Sequence, residues 1–466
     1  MTETVVFVEV PDGRTVHAGW IHYEPNAGQY KPSINFEYAG DFLADPGAYP
    51  LSPDLPLHSG FIPAPMSRDV FMAFADVQPD MWGRRLMHAD FRRLAREEGR
   101  RWAPPSELDM LLHVPDQTRQ GALRFRETAA GPFLGVSRAS LPTLVDLDKL
   151  VAAADQFESG RYDADDDAIR MLIQVGTTQG GARPKATVVD SSGQLAIAKL
   201  PHPDDRWDVL AWEAVALEMA VTAGIRAPRF ELRQLSERRS VLVTERFDRT
   251  GDGHRVGYLS AKALVLADYG TPVDYTILAT HLGESSSRPA ADTEELFRRV
   301  ALTLLVNNVD DHMKNHGVTR DQSGWRLSPV FDVNPFPVDT PVDSTPVAPN
   351  DDPYDRDIRL LLDAADQFRL SPDRGAEIVQ EITAAADDWA VVAKGYGVDA
   401  DCVDFFATAF ENPNRDRAAT MTAPTPARTI DLSGTAPQQH TRRGGQEWVP
   451  PHIRNGKPVA GYWRQR

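Results

Sequence analysis

The feature that most constrains this chain is a change of hydrophobic period at Asp248. Before it, apolar residues alternate in short runs: residues 4–10 (TVVFVEV), 15–23, 33–38, 121–127 (GALRFRE), 194–201 (QLAIAKLP), 228–235 and 240–247 (SVLVTERF). A period of two lays one face of each run on a core, so these segments read as strands. The exceptions are helical patterns at 81–98, 143–158, 165–174 and 207–223. In the last, Trp212, Val215, Ala216, Met219 and Ala220 form an amphipathic stripe. Beyond Asp248 strand-like runs disappear and a period near 3.6 dominates to residue 411. One helix there is expected to begin near Asp292, where DTEE offers a capping box. Its apolar face would use Phe297, Val300, Ala301, Leu304 and Leu305.

The punctuation of the chain follows this change. Residues 1–130 read as a small α+β subdomain, closed by the Gly/Ser/Pro-rich stretch 128–142. Residues 131–248 make a β-rich lobe and 249–412 an all-helical lobe. From Pro413 to Arg466 the periodicity is lost and the composition turns to Thr, Pro, Arg and Gly, so this tail is expected to be disordered. The tail is also basic. Its nine Arg and Lys against three Asp and Glu leave −23 of the total −17 on residues 1–412. Such an acidic body argues against direct nucleic-acid binding, which needs a basic surface. One cysteine, Cys402, cannot form an internal disulfide, and no apolar run approaches the length of a membrane span. A cytoplasmic protein without a membrane partner is expected.

The chemistry concentrates in NNVDDHMKNHG, residues 307–317, at the end of the helical pattern that uses Leu304 and Leu305. Asp310 stands five residues before Asn315. The catalytic loop of protein-kinase-type phosphotransferases has this D-x-x-x-x-N spacing, with the Asp as base and the Asn on magnesium. Asp311 competes for the base role but lacks the spacing. In SPVFDVNPF, 328–336, Asp332 follows an apolar pair, as the metal-binding Asp of a D-F-G segment does. Taken alone, the pairing is weak: a solvated helix end with capping side chains is the better explanation if nothing else matches. Other parts occur in a matching order. LAIAK ends on Lys199, placed as the strand lysine that meets ATP phosphates, and Glu213 or Glu218 on the next helix could pair with it. TTQGGARPK, 177–185, carries Gly180 and Gly181, which allow close backbone approach to anions, with Ala182, Arg183 and Lys185 beside them. VTERFD, 243–248, would present the backbone of Glu245, Arg246 and Phe247 to an adenine ring.

With GGARPKA, VLVTERFDR, NNVDDHMKN and SPVFDV in hand, the chain resembles the HipA family of serine/threonine kinases, toxins of bacterial toxin–antitoxin pairs, over about residues 4–410. The resemblance implies a bilobal protein-kinase-like fold with an extra N-terminal subdomain. It also implies roles: Asp310 as base, Asn315 and Asp332 on Mg2+, Lys199 on ATP, and residues 245–247 as hinge. His312 would brace the loop, and Lys314 would neutralise the γ-phosphate. Thr178 stands where the family carries an autophosphorylated serine, and GYLSAKALV, 257–265, replaces a Leu-Pro-Gln-Glu segment. The expected activity is ATP- and Mg2+-dependent phosphorylation of a protein hydroxyl, on a translation-related target such as an aminoacyl-tRNA synthetase. A small helix-turn-helix antitoxin would be the partner, with DNA reached only through it. The alternatives are a small-molecule or lipid kinase, since DDHMKN also resembles the phosphoinositide-kinase loop, and an inactive kinase-like scaffold.

Overall fold

The computed structural model describes residues 2–25, 33–65, 68–135, 140–162, 167–176, 181–236, 238–267, 272–338, 340, 342, 344–352 and 354–421. In the C-terminal stretch it describes 446–449, 452–454, 457–459 and 462–465. The chain divides into two compact units, residues 1–423 and 424–466.

The first unit begins with an antiparallel five-stranded sheet. Strands β1 (Thr2–Glu9), β2 (Thr15–Glu24), β3 (Ser33–Tyr38), β4 (Phe61–Ile62) and β5 (Leu123–Arg126) lie in the order β4-β3-β2-β1-β5. Alternation places Val6, Val8, Ile21 and Phe36 on one core, which helices α1 (Gly40–Leu43) and α2 (Met72–Ala75) close with Phe42 and Phe74. The next helix, α3 (Met81–Glu97), departs from that core. Its Trp82, Leu86 and Ala89 are buried in a second cluster, while α4 (Glu107–His113) returns Leu108 and Leu111 to the first.

The second cluster lies under an antiparallel four-stranded sheet, β6 (Lys185–Val189), β7 (Leu195–Lys199), β8 (Phe230–Ser236) and β9 (Arg239–Glu245), ordered β6-β7-β9-β8. Helices α5 (Leu147–Glu158) and α6 (Asp167–Val175) cover one face through Leu150, Ala154 and Leu172. Helix α7 (Val209–Thr222) joins the helical core instead. An amphipathic α7 was expected, but Leu210, Ala211, Ala214 and Leu217 are buried along with the predicted stripe. The reason is packing from two directions: β8 and β9 lie against the helix, and later helices meet it where Trp212 stacks on Phe406 at 4.0 Å and faces Trp389.

After Asp248 the chain is not all helical. Strand β10 (Gly257–Ser260) runs into α8 (Ala261–Leu264), then come α9 (Tyr275–Ser285) and α10 (Pro289–Leu305). Strands β11 (Gly317–Asp321) and β12 (Gly324–Leu327) pair with β10 in a three-stranded sheet. A short turn joins β11 to β12, with Gly324 at φ +135 and Asp321 accepting the amides of Ser323 and Gly324. Helix α10 begins three residues before the expected capping box, because Pro289 supplies its first turn. Asp292 is therefore inside the helix, fully buried. It accepts the Ser286 hydroxyl, the Arg326 guanidinium and the Leu327 amide, which pins β12 to α10. Helices α11 (Ile358–Asp363), α12 (Pro372–Ala385), α13 (Trp389–Gly395) and α14 (Ala400–Phe410) complete the layer.

The stretch expected to be disordered from Pro413 opens with a further helix, α15 (Pro413–Thr420), capped by Asn412 and anchored where Asn414 donates to the Leu304 carbonyl. Within the second unit, β13 (Gln446–Val449) pairs with β16 (Tyr462–Gln465), and β14 (His452–Arg454) with β15 (Lys457–Val459). The dipeptide Asn455-Gly456 between the latter two is a strong hairpin signal. The aromatic, β-branched spacing of 446–465 has the same meaning, but it was hidden in a basic, proline-rich composition.

One buried charge network fastens the first sheet to the rest. Arg246 donates to both carboxylate oxygens of Asp248 at 2.8 and 2.6 Å and to the Thr118 carbonyl at 2.7 Å. Asp248 also accepts the Gly121 amide and Arg249, and Arg249 donates to the Arg119 carbonyl. Removing Asp248 would leave the fully buried Arg246 without its counter-ion. An Asp248→Ala variant is expected to lose about 3–5 kcal/mol of stability by urea denaturation. An unchanged midpoint would show that the network does not hold the sheets together.

Candidate active site

Two lysines open the site. β6 and β7 pair so that Lys185 is the direct cross-strand partner of Lys199. Lys199 Nζ donates to Glu213 Oε1 at 2.5 Å and to the carboxylate of Asp332. Of the two glutamates open from the sequence, α7 turns Glu213 to the lysine. Glu218 instead accepts the Tyr396 hydroxyl at 3.1 Å. Burial by itself would depress the Lys199 ammonium, but Asp332 and Glu213 hold it above its usual value. Burial raises Glu213 against the pull of Lys199. Burial opposes the Asp332 carboxylate too, yet Lys199 and Lys185 bring it below the ordinary range.

Asp332 sits in the left-handed region, at φ +59, an uncommon conformation for a residue with a Cβ. Its amide donates to Glu213 Oε1 at 3.2 Å. Glu213 thus holds the lysine and the backbone of the aspartate with one oxygen. The 307–317 loop and the 328–336 segment are joined directly: the Asn307 side-chain amide donates to the Phe336 carbonyl at 2.7 Å, and the Phe336 amide donates to the Asn307 carbonyl at 3.2 Å.

Within the loop the two aspartates have opposite surroundings. Asp310 is exposed. Asp311 is buried and accepts the Tyr275 hydroxyl at 2.5 Å, the Thr303 hydroxyl at 3.1 Å and His316 Nε2. Although burial opposes it, His316 and these hydrogen bonds hold the Asp311 carboxyl down to about 2. It is a structural anchor that keeps the loop folded. Asn315 is buried, and its amide nitrogen donates to the Asp310 carbonyl at 3.0 Å, which leaves the amide oxygen as the atom able to ligate a cation. His312 and Lys314 are exposed on the same turn.

The phosphate-side residues are placed unevenly. Thr177, Thr178, Gln179 and Gly180 lie outside the described residues. Gly181 and Ala182 are exposed, with Gly181 at φ +113. Arg183 is held by Asp205 in a two-pronged pair at 3.0 and 2.7 Å. Lys185 is buried against Asp80 at 3.0 Å. In the expected hinge, the Glu245 side chain pairs with Arg229 and the Arg246 side chain is committed to Asp248, and the two amides are already donated to the Arg229 and Leu195 carbonyls. The Phe247 ring lies 5.7 Å from Phe331 and 5.9 Å from Tyr258, an aromatic wall suited to a planar base.

Sequence reading missed Phe331, Tyr258, Asp76 and Asp80. Tyr258 belongs to the 257–265 segment, which braces the loop: Ala261 and Lys262 amides donate to the His316 and Met313 carbonyls. Asp76 comes from the first sheet's side and accepts the Ser260 amide and hydroxyl at 2.6 and 2.7 Å. Burial pushes its carboxyl up to about 6, against the pull of Ser260, Lys314 and Lys262. Nothing local in the sequence announces the contacts of Asp76 with Ser260 and of Asp80 with Lys185, since both run across more than a hundred residues.

Comparison with known proteins bears on the family and the fold. The HipA-like C-terminal domain family matches residues 177–390. Y4mE of Sinorhizobium fredii, which carries the name of a kinase, is 24% identical over 395 residues, covering 78% of this chain and 81% of the relative. Toxin YjjJ of Escherichia coli is 27% identical over 210 residues, 42% of this chain and 45% of the relative. Among solved structures, Shewanella oneidensis HipA in its complex with HipB and operator DNA superposes with a TM-score of 0.61 at 16% identity. That match covers 88% of this chain and 97% of HipA. The fold is shared with HipA, and the resemblance drawn from the motifs is borne out. No described helix is long and apolar enough to cross a membrane.

The Asp311 anchor has a pH signature. Its folded carboxyl lies near 2 against a usual 3.8. A depressed carboxyl stabilises the fold above pH 4 and loses that contribution as pH falls toward 2. The expected loss for the wild type over that window is roughly 2 kcal/mol from this group. In Asp311→Asn, denaturation followed at pH 4, 3 and 2 should show a shallower acid limb. An identical slope would remove Asp311 from the anchor role.

Proposed function

We propose that this chain, which carries a HipA-like C-terminal domain over residues 177–390, is an ATP- and Mg2+-dependent kinase of the HipA toxin type that phosphorylates a serine or threonine hydroxyl of a protein. The observation that carries this reading is Lys199 held between Glu213 and a left-handed Asp332, opposite a loop that presents Asp310 and Asn315. A structural charge pair needs one carboxylate per lysine. Here two converge on one buried ammonium, and one of them is in a strained conformation, an arrangement suited to exchanging a carboxylate for phosphate oxygens.

The donor set fits magnesium, which takes a few protein oxygens and keeps waters and phosphate oxygens in its shell. Asn315 and Asp332 would hold it, and the ion would supply neutralisation of phosphate charge. Lys199 would bind the nucleotide phosphates, oriented by Glu213. The backbone of Glu245 to Phe247 would meet adenine beside the Phe247 and Phe331 rings. Gly181 and Ala182 would lie over the phosphates with Gly180. Asp310, exposed on the loop, would accept the proton of the attacking hydroxyl as its oxygen bonds the γ-phosphorus and the bridging P–O bond breaks, releasing ADP. Lys314 would neutralise the transferring group, and His312 would brace the loop near Asp332. Thr178 is the proposed autophosphorylation site. Catalysis would rest on positioning and charge rather than a covalent intermediate.

The solved relative is a HipA–HipB complex on operator DNA. That supports a small antitoxin partner here, with DNA engaged through it, and a translation-related target remains the proposed substrate class. Transfer of labelled γ-phosphate to protein by the full chain is expected to fall by about a hundredfold or more in both Asp310→Ala and Asp332→Asn. Full activity in both, with wild-type circular dichroism, would overturn the kinase reading.

A further inference from the structure

Lys185 and Lys199 are opposite one another on neighbouring antiparallel strands. Like charges in that register repel unless each has a counter-ion of its own. Lys199 has Glu213 and Asp332, both within the region matched to the HipA-like domain. The carboxylate on Lys185 comes from elsewhere: Asp80, 105 positions earlier and outside that region.

Asp80 is built into place. It caps α3, with one carboxylate oxygen accepting the Gly83 amide at 2.5 Å and the other accepting Lys185 Nζ at 3.0 Å. Both side chains of the pair are about 5% exposed or less. The first turn of α3 also touches the Gly-rich segment: the Trp82 amide donates to the Gly181 carbonyl at 3.5 Å. Gly181 is the residue a Cβ would not suit, since that atom would stand 2.9 Å from Lys185 Nζ. Farther along α3, Leu86 packs so close to Gly176 that a Cβ there would lie 2.8 Å from its methyl. Helix α3 therefore presses on the chain at Gly176, at Gly181 and at Lys185.

We propose that Asp80 is a positioning residue for nucleotide binding: it holds Lys185 beneath Gly181 and alongside Lys199, so that the phosphates of the nucleotide meet a pair of lysines whose spacing is set by helix α3. The N-terminal segment is then part of the nucleotide site. This inference rests on the kinase reading above, and it adds a residue that acts through Lys185 without itself touching the reacting atoms.

The test uses the full chain and two readouts, calorimetric titration with Mg-ATP and steady-state phosphotransfer at varied ATP. Asp80→Asn keeps the size of the side chain and one oxygen to cap α3, but it removes the charge and replaces the oxygen that accepts Lys185 with an NH2 group that cannot accept. It is expected to weaken ATP binding and raise KM for ATP by about tenfold or more, with kcat within about threefold of wild type. Asp80→Glu should recover part of the affinity. Lys185→Met should weaken ATP binding similarly, and adding Asp80→Asn to it should cost little more, because both remove one interaction. A merely structural Asp80 would lower the melting temperature and the active fraction while leaving KM unchanged. If Asp80→Asn does not fold, Lys185→Met alone decides: unaltered ATP affinity there overturns the proposal. Wild-type affinity in a folded Asp80→Asn also overturns it and leaves the kinase reading standing. A wild-type chain that neither binds nor turns over ATP ends both.

Discussion

The buried ammonium of Lys199 is the interaction on which the arrangement of the site depends. It ties the end of β7 to α7 through Glu213 and to the 328–336 segment through Asp332. Three pieces of chain far apart in sequence are thereby held at one point. A desolvated charge is costly unless it is paired and hydrogen-bonded. The two carboxylates, one of them also accepting the Asp332 amide, meet that cost and in doing so fix where each segment ends. The left-handed backbone at Asp332 is tolerable because both its side chain and its amide are engaged.

A second set of buried charges decides what this site is attached to. Arg246 directly follows β9, and its guanidinium faces the 118–121 turn of the first sheet's segment, with Asp248 as its partner. Asp76 caps α8 through Ser260, and Asp80 reaches Lys185. Each contact runs from the N-terminal segment to the site or its supports. Helix α3 shows the same relation in apolar terms, because Trp82 and Leu86 are buried with Ala186 and Ala198 rather than with the first sheet. The N-terminal α+β segment is thus not an appendage with a core of its own alone. It contributes a helix to the neighbouring core and carboxylates to the neighbouring cations.

Much of the fold was legible because it follows periodicity. The strands at 15–24, 33–38 and 195–199 and the helix at 81–97 coincide closely with their hydrophobic patterns. The misses share a cause. At Asp292 a capping sequence lies inside the helix, since Pro289 begins it earlier and Arg326 and Leu327 take over the carboxylate. At α7 a stripe was read where most of the helix is buried all round, because β8 and β9 pack on it as well as Trp389 and Phe406, which come from more than 170 residues away to meet Trp212. Strands β11 and β12 are short and follow a charged loop, so their alternation was hidden by the helical run before them. In each case local pattern was overruled by a partner that the local sequence does not contain.

By itself the sequence determined the order of the elements and the chemical types at the site: a lysine at a strand end, a D-x-x-x-x-N loop, and an Asp after an apolar pair. Those are local properties, set by spacing along the chain. Tertiary structure alone decided which of two equivalent-looking groups does what. Glu213 rather than Glu218 meets Lys199, Asp311 rather than Asp310 is buried, and Lys185 faces Asp80. These choices turn on which carboxylate is removed from water next to which cation. Desolvation and Coulomb attraction depend on distances through space, and sequence separation carries no record of them.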